Sequence, residues 1–125
     1  MLSTNSVHEA PQSAAITISE DENLNIFFGS NKTRRKNINI AKDFKVSLVV
    51  GWDRGEMETI QIEANAYEIK DVIEIENIKN AHYGKNPESE KYRNNTERVY
   101  FRVVPYWIRY SHLSLPQPEV WEVRI

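Results

Sequence analysis

From Ile60 to Ala66, every second residue of the segment Glu58–Ile69 is apolar. This period of two is typical of a β-strand with one buried face. The segment Lys45–Trp52 alternates in the same way, and Asp53-Arg54-Gly55 lies between the two as a turn. Two alternating strands joined by a short turn predict a hairpin, and hence an antiparallel sheet.

The rest of the chain adds more strands than helices. Periodicity and turn residues predict six further strands, at Leu2–Thr4, Ser13–Ile18, Leu24–Phe28, Arg98–Val104, Trp107–His112 and Val120–Ile125. Two short helices are predicted at Arg34–Ala41 and Val72–His82, the second because Asp71 and Glu74 form a capping box. A polar loop with one helical turn is expected over Gly84–Thr96. The pattern predicts a mainly β fold, a β-barrel with two short helices, in a single domain over residues 1–125.

Composition narrows the function classes. The formal net charge of the 125-residue chain is −2, which argues against general nucleic-acid binding. There are no cysteines, and His8, His82 and His112 lack the spacing of metal ligands, so neither thiolate chemistry nor a metal site is expected. The sequence shows no signal peptide and no apolar run long enough to span a membrane, which predicts a cytoplasmic protein.

The segment Ser30–Lys36 carries the strongest functional signal. Four cations, Lys32, Arg34, Arg35 and Lys36, fall within five positions between a predicted strand and a predicted helix. The first N–H groups of a helix attract an anion, and arginine and lysine both bind phosphate. The segment therefore predicts a phosphate site, and its alternative is a solvated basic helix start.

The same region resembles a known family. Phe27–Lys36, followed by Asn39, the strand Val46–Val50 and Trp52, is similar to the pyridoxamine 5'-phosphate oxidase-like superfamily of FMN-binding split barrels. Tyr100–Tyr110 resembles the family's late Phe-Arg-Val-x-Pro-x-x-Ile segment. The resemblance implies a split β-barrel and a homodimer, with FMN held in clefts between the two subunits.

The resemblance also implies roles for individual residues. Arg35 and Lys36 would bind the phosphate, Ser30 would donate a hydrogen bond to it, and Asn31 and Thr33 would be loop contacts.

The remaining expected contacts are to the flavin ring. Ser13 and Ala14 would lie along it through their backbone, and either Thr59 or Gln61 would meet the edge of the isoalloxazine. Trp52 is either a cofactor contact or a core aromatic at the end of the barrel.

Two departures from the family limit the prediction. The C-terminal stretch Leu115–Val123 lacks the Arg-x-His pair with which the oxidases bind pyridoxal, so oxidation of pyridoxamine phosphate is not expected. The helix that usually precedes the first strand is also missing, because the chain begins nearly at Leu2.

Three hypotheses follow. The first is an FMN-dependent oxidoreductase with an unknown substrate and no identifiable catalytic acid or base. The second is a non-catalytic binder of a flavin or a deazaflavin. The third is a nucleic-acid-binding barrel, in which the loop cations would bind phosphates and four aromatics would stack on bases: Phe27, Phe28, Tyr100 and Phe101.

Overall fold

A computed structural model describes residues 1–6, 8–51 and 55–125. The eight strands of the described chain are β1 Leu2–Asn5, β2 Pro11–Ala14, β3 Ser19–Glu20, β4 Ile26–Asn31, β5 Lys45–Val50, β6 Glu58–Ile69, β7 Arg98–His112 and β8 Glu119–Arg124. The helices are α1 Arg35–Lys42, α2 Val72–Lys85 and a 3-10 helix at Pro87–Tyr92. Residues 52–54, which include Trp52 and most of the expected turn, lie outside the described residues.

The strands form one antiparallel sheet in the order β2-β1-β5-β6-β7-β4-β3. One edge of β7 pairs with β6. The other edge pairs with β4 along the first part of β7 and with β8 along its last part. The structure is therefore mainly β, as predicted. In the long central hairpin β5–β6, the apolar residues of the two strands lie opposite each other.

One face of this sheet forms the main core. The inward residues of β5 and β6 are those that the alternation predicts, and they pack against Phe28 and Phe101, whose rings stack at 5.0 Å. Ile16 and Ile18, in the segment between β2 and β3, also pack on this core. Residues 15–18 form no strand, so the core is covered there by a loop.

Helix α2 covers a second, smaller core. The predicted N-cap is confirmed, because the side chain of Asp71 accepts the Glu74 N–H at 2.9 Å, while the Glu74 carboxylate pairs with Arg102. Ile75 and Ile78 face the sheet as the spacing predicts, whereas Val72 is exposed. The helix continues to Lys85, three residues beyond the predicted end.

Several predicted boundaries are wrong for identifiable reasons. The predicted second strand, Ser13–Ile18, is shifted to Pro11–Ala14, because residues 15–18 leave the sheet to cover the core. The predicted strand Leu24–Phe28 ends too early, because β4 continues to Asn31 along β7. Pro105 does not divide β7, because it lies beside a β-bulge of the same strand, where Tyr106 is the extra residue opposite Glu63/Ala64 and the ladder is already irregular.

Candidate functional site

A surface cavity of about 370 Å³ opens between the start of α1 and the strands β1 and β2. It is lined by Leu2, Thr4, Gln12, Ser13, Ala14, Arg34, Arg35, Lys36 and Asn39. Three consecutive cations, Arg34–Lys36, therefore face residues of β1 and β2, which lie at least twenty positions earlier in the sequence. Of the predicted site residues, Ser13, Ala14, Arg35 and Lys36 meet in this cavity.

The turn before α1 presents these cations. The carbonyl of Asn31 accepts the Arg34 N–H at 3.0 Å and the Asn37 side-chain amide at 2.8 Å. Arg34 is extended, and α1 begins at the next residue without a side-chain cap and without an acidic residue in its first turn. The positive end of the helix dipole is therefore not neutralised by the helix itself.

Asn39 fixes the floor of the cavity. It is buried, and its side-chain NH₂ donates to Thr4 Oγ1 on β1 and to Gln12 Oε1 on β2, both at 2.9 Å. Both amide hydrogens are thus used to hold α1 against two strands. The inner side of α1 therefore buries Asn37, Asn39 and Ile40 and leaves Ile38 and Ala41 exposed.

The cavity has a positive electrostatic character. Partial burial lowers the pKa of Lys36, and the positive charges of Arg34 and Arg98 lower it further. Within the described part of the chain, no carboxylate forms an ion pair with Arg34, Arg35 or Lys36. Lys32, in contrast, pairs with Glu97 at 3.0 Å and does not line the cavity.

The other predicted loop residues lie outside the cavity lining. Ser30 is buried and donates its hydroxyl to the Asn31 carbonyl at 3.4 Å. Asn31 shapes the turn through its backbone, and its side-chain oxygen accepts from Asn95 at 3.3 Å. Thr33 is exposed. Ligand contacts by these three residues stay predictions.

The predicted ring contacts lie in two different places. The Ser13 hydroxyl is hydrogen-bonded to Ser3 at 2.8 Å, on the face of the sheet opposite the Gln12 side chain. Thr59 and Gln61 lie on β6, and Gln61 is an exposed residue flanked by Val49 on β5 and Arg109 on β7. Neither β6 residue lines the cationic cavity.

A second, larger cavity of about 750 Å³ lies at the other side of the barrel. Its wall consists mostly of apolar side chains from β6, β7, β8 and residues 16–18, among them Ile60, Ile108 and Trp121. Its one lining cation, Lys85, forms an ion pair with Glu20. This cavity is unsuited to a phosphate, so the smaller cationic cavity is the candidate site.

Sequence reasoning missed three polar residues of the site, Thr4, Gln12 and Asn39. No periodicity or motif links Asn39 to two strands near the N-terminus, because the three residues meet only through tertiary packing. Arg34 was visible as one of the loop cations, and its place beside Arg35 and Lys36 follows from the turn geometry.

No protein-family model matches this chain, and no curated protein matches its sequence. Solved structures do match its fold. A putative pyridoxamine 5'-phosphate oxidase from Listeria innocua is 20% identical with a TM-score of 0.70, covering 87% of this chain and 84% of that one. A Clostridium acetobutylicum protein of the pyridoxinephosphate oxidase family, related to general stress protein 26 of B. subtilis, has a TM-score of 0.74 at 14% identity, over 98% and 84%.

A heme binding protein from Mycobacterium smegmatis is also similar in fold, with a TM-score of 0.77 at 11% identity. The match covers 96% of this chain but only 50% of that protein. The chain has the pyridoxamine 5'-phosphate oxidase-like split-barrel fold. The fold predicted from the resemblance is therefore confirmed, whereas the ligand is not decided by likeness at this level of identity. Among the described residues, no helix has the length and apolar character of a membrane span.

Proposed function

We propose that this chain binds FMN and that the FMN phosphate occupies the cationic cavity. The observation that carries the proposal is the meeting of Arg34, Arg35 and Lys36 in one cavity, at the start of α1, which has no side-chain cap. None of these three cations has an ion-pair partner among the residues that the structure describes. A phosphate monoester carries nearly two negative charges at neutral pH, and arginine offers it paired donors. The residues present therefore fit the phosphate end of the cofactor.

The strand wall suits the flavin ring. Within the described chain, β2 pairs only with β1, so its other edge presents backbone N–H and C=O groups beside the cavity. The pyrimidine part of an isoalloxazine carries both donors and acceptors that such an edge can match. This supports the predicted backbone contacts of Ser13 and Ala14.

A second subunit would complete the site. The cavity has walls only from α1, β1 and β2, so one protomer leaves the bound ring partly exposed. We propose a homodimer in which the partner covers the ring. Either Thr59 or Gln61 would then meet the isoalloxazine edge across the dimer interface, because both residues lie away from the cavity of their own protomer.

When bound, FMN supplies hydride or single-electron transfer, and the chain supplies binding and orientation. We propose an oxidoreductase of unknown substrate that acts in the cytoplasm. The nucleic-acid hypothesis is weakened, because Phe27, Phe28, Tyr100 and Phe101 are all buried and cannot stack on bases.

The first experiment is an absorption spectrum of the purified protein, followed by titration of the apoprotein with FMN. Flavin bands and saturable quenching of flavin fluorescence are expected, and reduction by NAD(P)H would identify a reductase. A flavin that binds but does not turn over supports the non-catalytic alternative. A heme spectrum, or no binding of FMN, contradicts the proposal.

The phosphate site is tested by the double variant Arg35→Ala/Lys36→Ala. Loss of two charged donors should weaken FMN binding by about 2–4 kcal/mol, which is roughly 30- to 1,000-fold in Kd. The matched control is Lys32→Ala, a cation of the same loop that pairs with Glu97 outside the cavity. Equal effects of the control and the double variant in the FMN titration would place the phosphate elsewhere.

A further inference from the structure

Arg98 lies directly behind the basic loop, although it is more than sixty positions away in sequence. It is the first residue of β7 and pairs with Asn31 of β4. Its guanidinium lies 4.9 Å from the ring centroid of Tyr92, in a cation–π contact. These contacts hold a permanent cation at the base of the turn that presents Arg34–Lys36.

Gly29 makes room for this side chain. A Cβ atom at position 29 would lie 2.6 Å from Nε of Arg98, closer than real contacts allow, so the Arg98 side chain would have to move. Position 29 lies inside β4, where a glycine costs stability relative to other residues. The close approach of Arg98 is a physical reason for a glycine there.

Arg98 interacts with the hydroxyl of Tyr100, and no carboxylate among the described residues forms an ion pair with it. Its Nε is buried and has no hydrogen-bond partner among the described residues. Within the same residues it forms no ion pair, and its chain neighbour Glu97 is already paired with Lys32. A partly buried guanidinium that interacts with a neutral hydroxyl keeps its full positive charge, which acts strongly on groups close to it.

Its field reaches the cavity. The Asn31 residue that Arg98 pairs with also accepts the Arg34 N–H, and the positive charge of Arg98 is one of the two that lower the pKa of Lys36. Arg98 does not line the cavity itself. Any effect of Arg98 on a bound anion is therefore electrostatic and acts from behind the loop.

We propose that Arg98 is a positioning residue that makes the cationic cavity selective for a doubly charged phosphate monoester over singly charged phosphodiesters and uncharged ligands. The inference rests on the proposed function, since it names the ligand class of the same site. A distant cation favours a dianion twice as strongly as a monoanion and leaves a neutral ligand unaffected. Arg98 therefore adds charge discrimination to the contacts made by Arg35 and Lys36.

The test compares Arg98→Gln and Arg98→Lys with the wild-type protein in fluorescence titrations. Three probes share the same ring: FMN, the cyclic phosphodiester of riboflavin, and riboflavin. For Arg98→Gln, we expect FMN affinity to fall about tenfold, affinity for the phosphodiester about threefold, and affinity for riboflavin to change less than twofold. Arg98→Lys keeps the charge and should restore FMN affinity to within about threefold of wild type.

Arg93→Gln is the matched control. Arg93 also lies over an aromatic ring, that of Tyr83 at 5.2 Å, but it is paired with Glu90 at 2.5 Å. It should leave all three affinities unchanged. Thermal unfolding of each variant shows whether it is folded at the titration temperature, and Arg98→Lys provides a second readout if Arg98→Gln does not fold.

The outcomes separate the two proposals. Wild-type protein that binds no FMN overturns the proposed function and, with it, this inference. Wild-type protein that binds FMN, with Arg98→Gln weakening all three probes equally or none of them, overturns the inference alone. Failure of Arg98→Lys to restore FMN affinity also overturns it, because a charge effect does not require a guanidinium.

Discussion

At the scale of single residues, the site depends on polar side chains that the sequence pattern does not place. Asn39 looks like an ordinary polar residue of a short helix, yet it is buried and donates to two strands. The cations were predictable because their density in one loop is visible in the sequence. Their partners on β1 and β2 were not, because only packing brings residues 4, 12 and 39 together.

Asn39→Ala should lower the free energy of unfolding by about 1–3 kcal/mol, because it leaves Thr4 and Gln12 without their shared donor inside the protein. It should also weaken FMN binding, since α1 would no longer be held against the cavity wall. Urea unfolding followed by circular dichroism measures the first effect. Ile38→Ala, on the exposed side of the same helix, is the control and should change stability by less than about 0.5 kcal/mol. Equal losses in the two variants would show that the Asn39 bonds do not stabilise the fold.

At the scale of elements, sequence patterns predicted the bounds of strands and helices correctly where those bounds depend on adjacent residues. They failed where a neighbouring strand determines the bounds. The bounds of β6 and the start of α2 were predicted correctly, because alternation and a capping box depend on adjacent residues. The continuous β7 was predicted as two strands, because its pairing with β6 carries it past Pro105 through a bulge in which Tyr106 is the extra residue. The end of β4 was missed for the same reason, since β7 extends it.

Helix α2 should make stability depend on pH through His82. The side chain is fully buried, with Nδ1 hydrogen-bonded to Ser19 Oγ at 2.9 Å, and its Nε2 has no partner among the described residues. Burial lowers the pKa of His82; Arg98 on β7 and Lys85 lower it further, while Glu88 opposes them. The unfolded chain therefore takes up a proton near pH 6.5, where the folded chain does not.

This difference makes the folded state less stable as the pH falls. The contribution of neutral His82 is fully present above about pH 6.5 and is lost as the pH falls from there towards the lowered folded pKa. Urea unfolding of the wild type should thus show a clear loss of stability between about pH 7.5 and 5.5, and His82→Gln should flatten that slope. His8→Gln, at an exposed turn position, should retain it. An unchanged slope in His82→Gln would mean that other groups cause the pH dependence.

At the scale of the whole molecule, the split barrel leaves apolar surface that a monomer would expose to water. Trp121 and Val123 on β8 are 47% and 43% exposed, and Leu24 opposite them across the apolar cavity is 55% exposed. Within the described chain, β8 pairs only with β7, so it also has a free edge. Apolar patches and free strand edges on one face are typical of an association surface.

The proposed homodimer gives this surface an occupant, a second copy of the chain. Sedimentation velocity at micromolar concentration should give twice the 14.6 kDa mass of one chain. Trp121→Ser should shift the equilibrium towards monomer by removing a large apolar contact, of about 1–3 kcal/mol. Val72→Ser, at an exposed position on α2, should not. A monomer at every concentration would contradict the dimer, whereas a dimer that tolerates Trp121→Ser would move the interface away from β8. In that second case, the dimer contact would be limited to the open side of the cationic cavity, where the partner covers the proposed flavin ring.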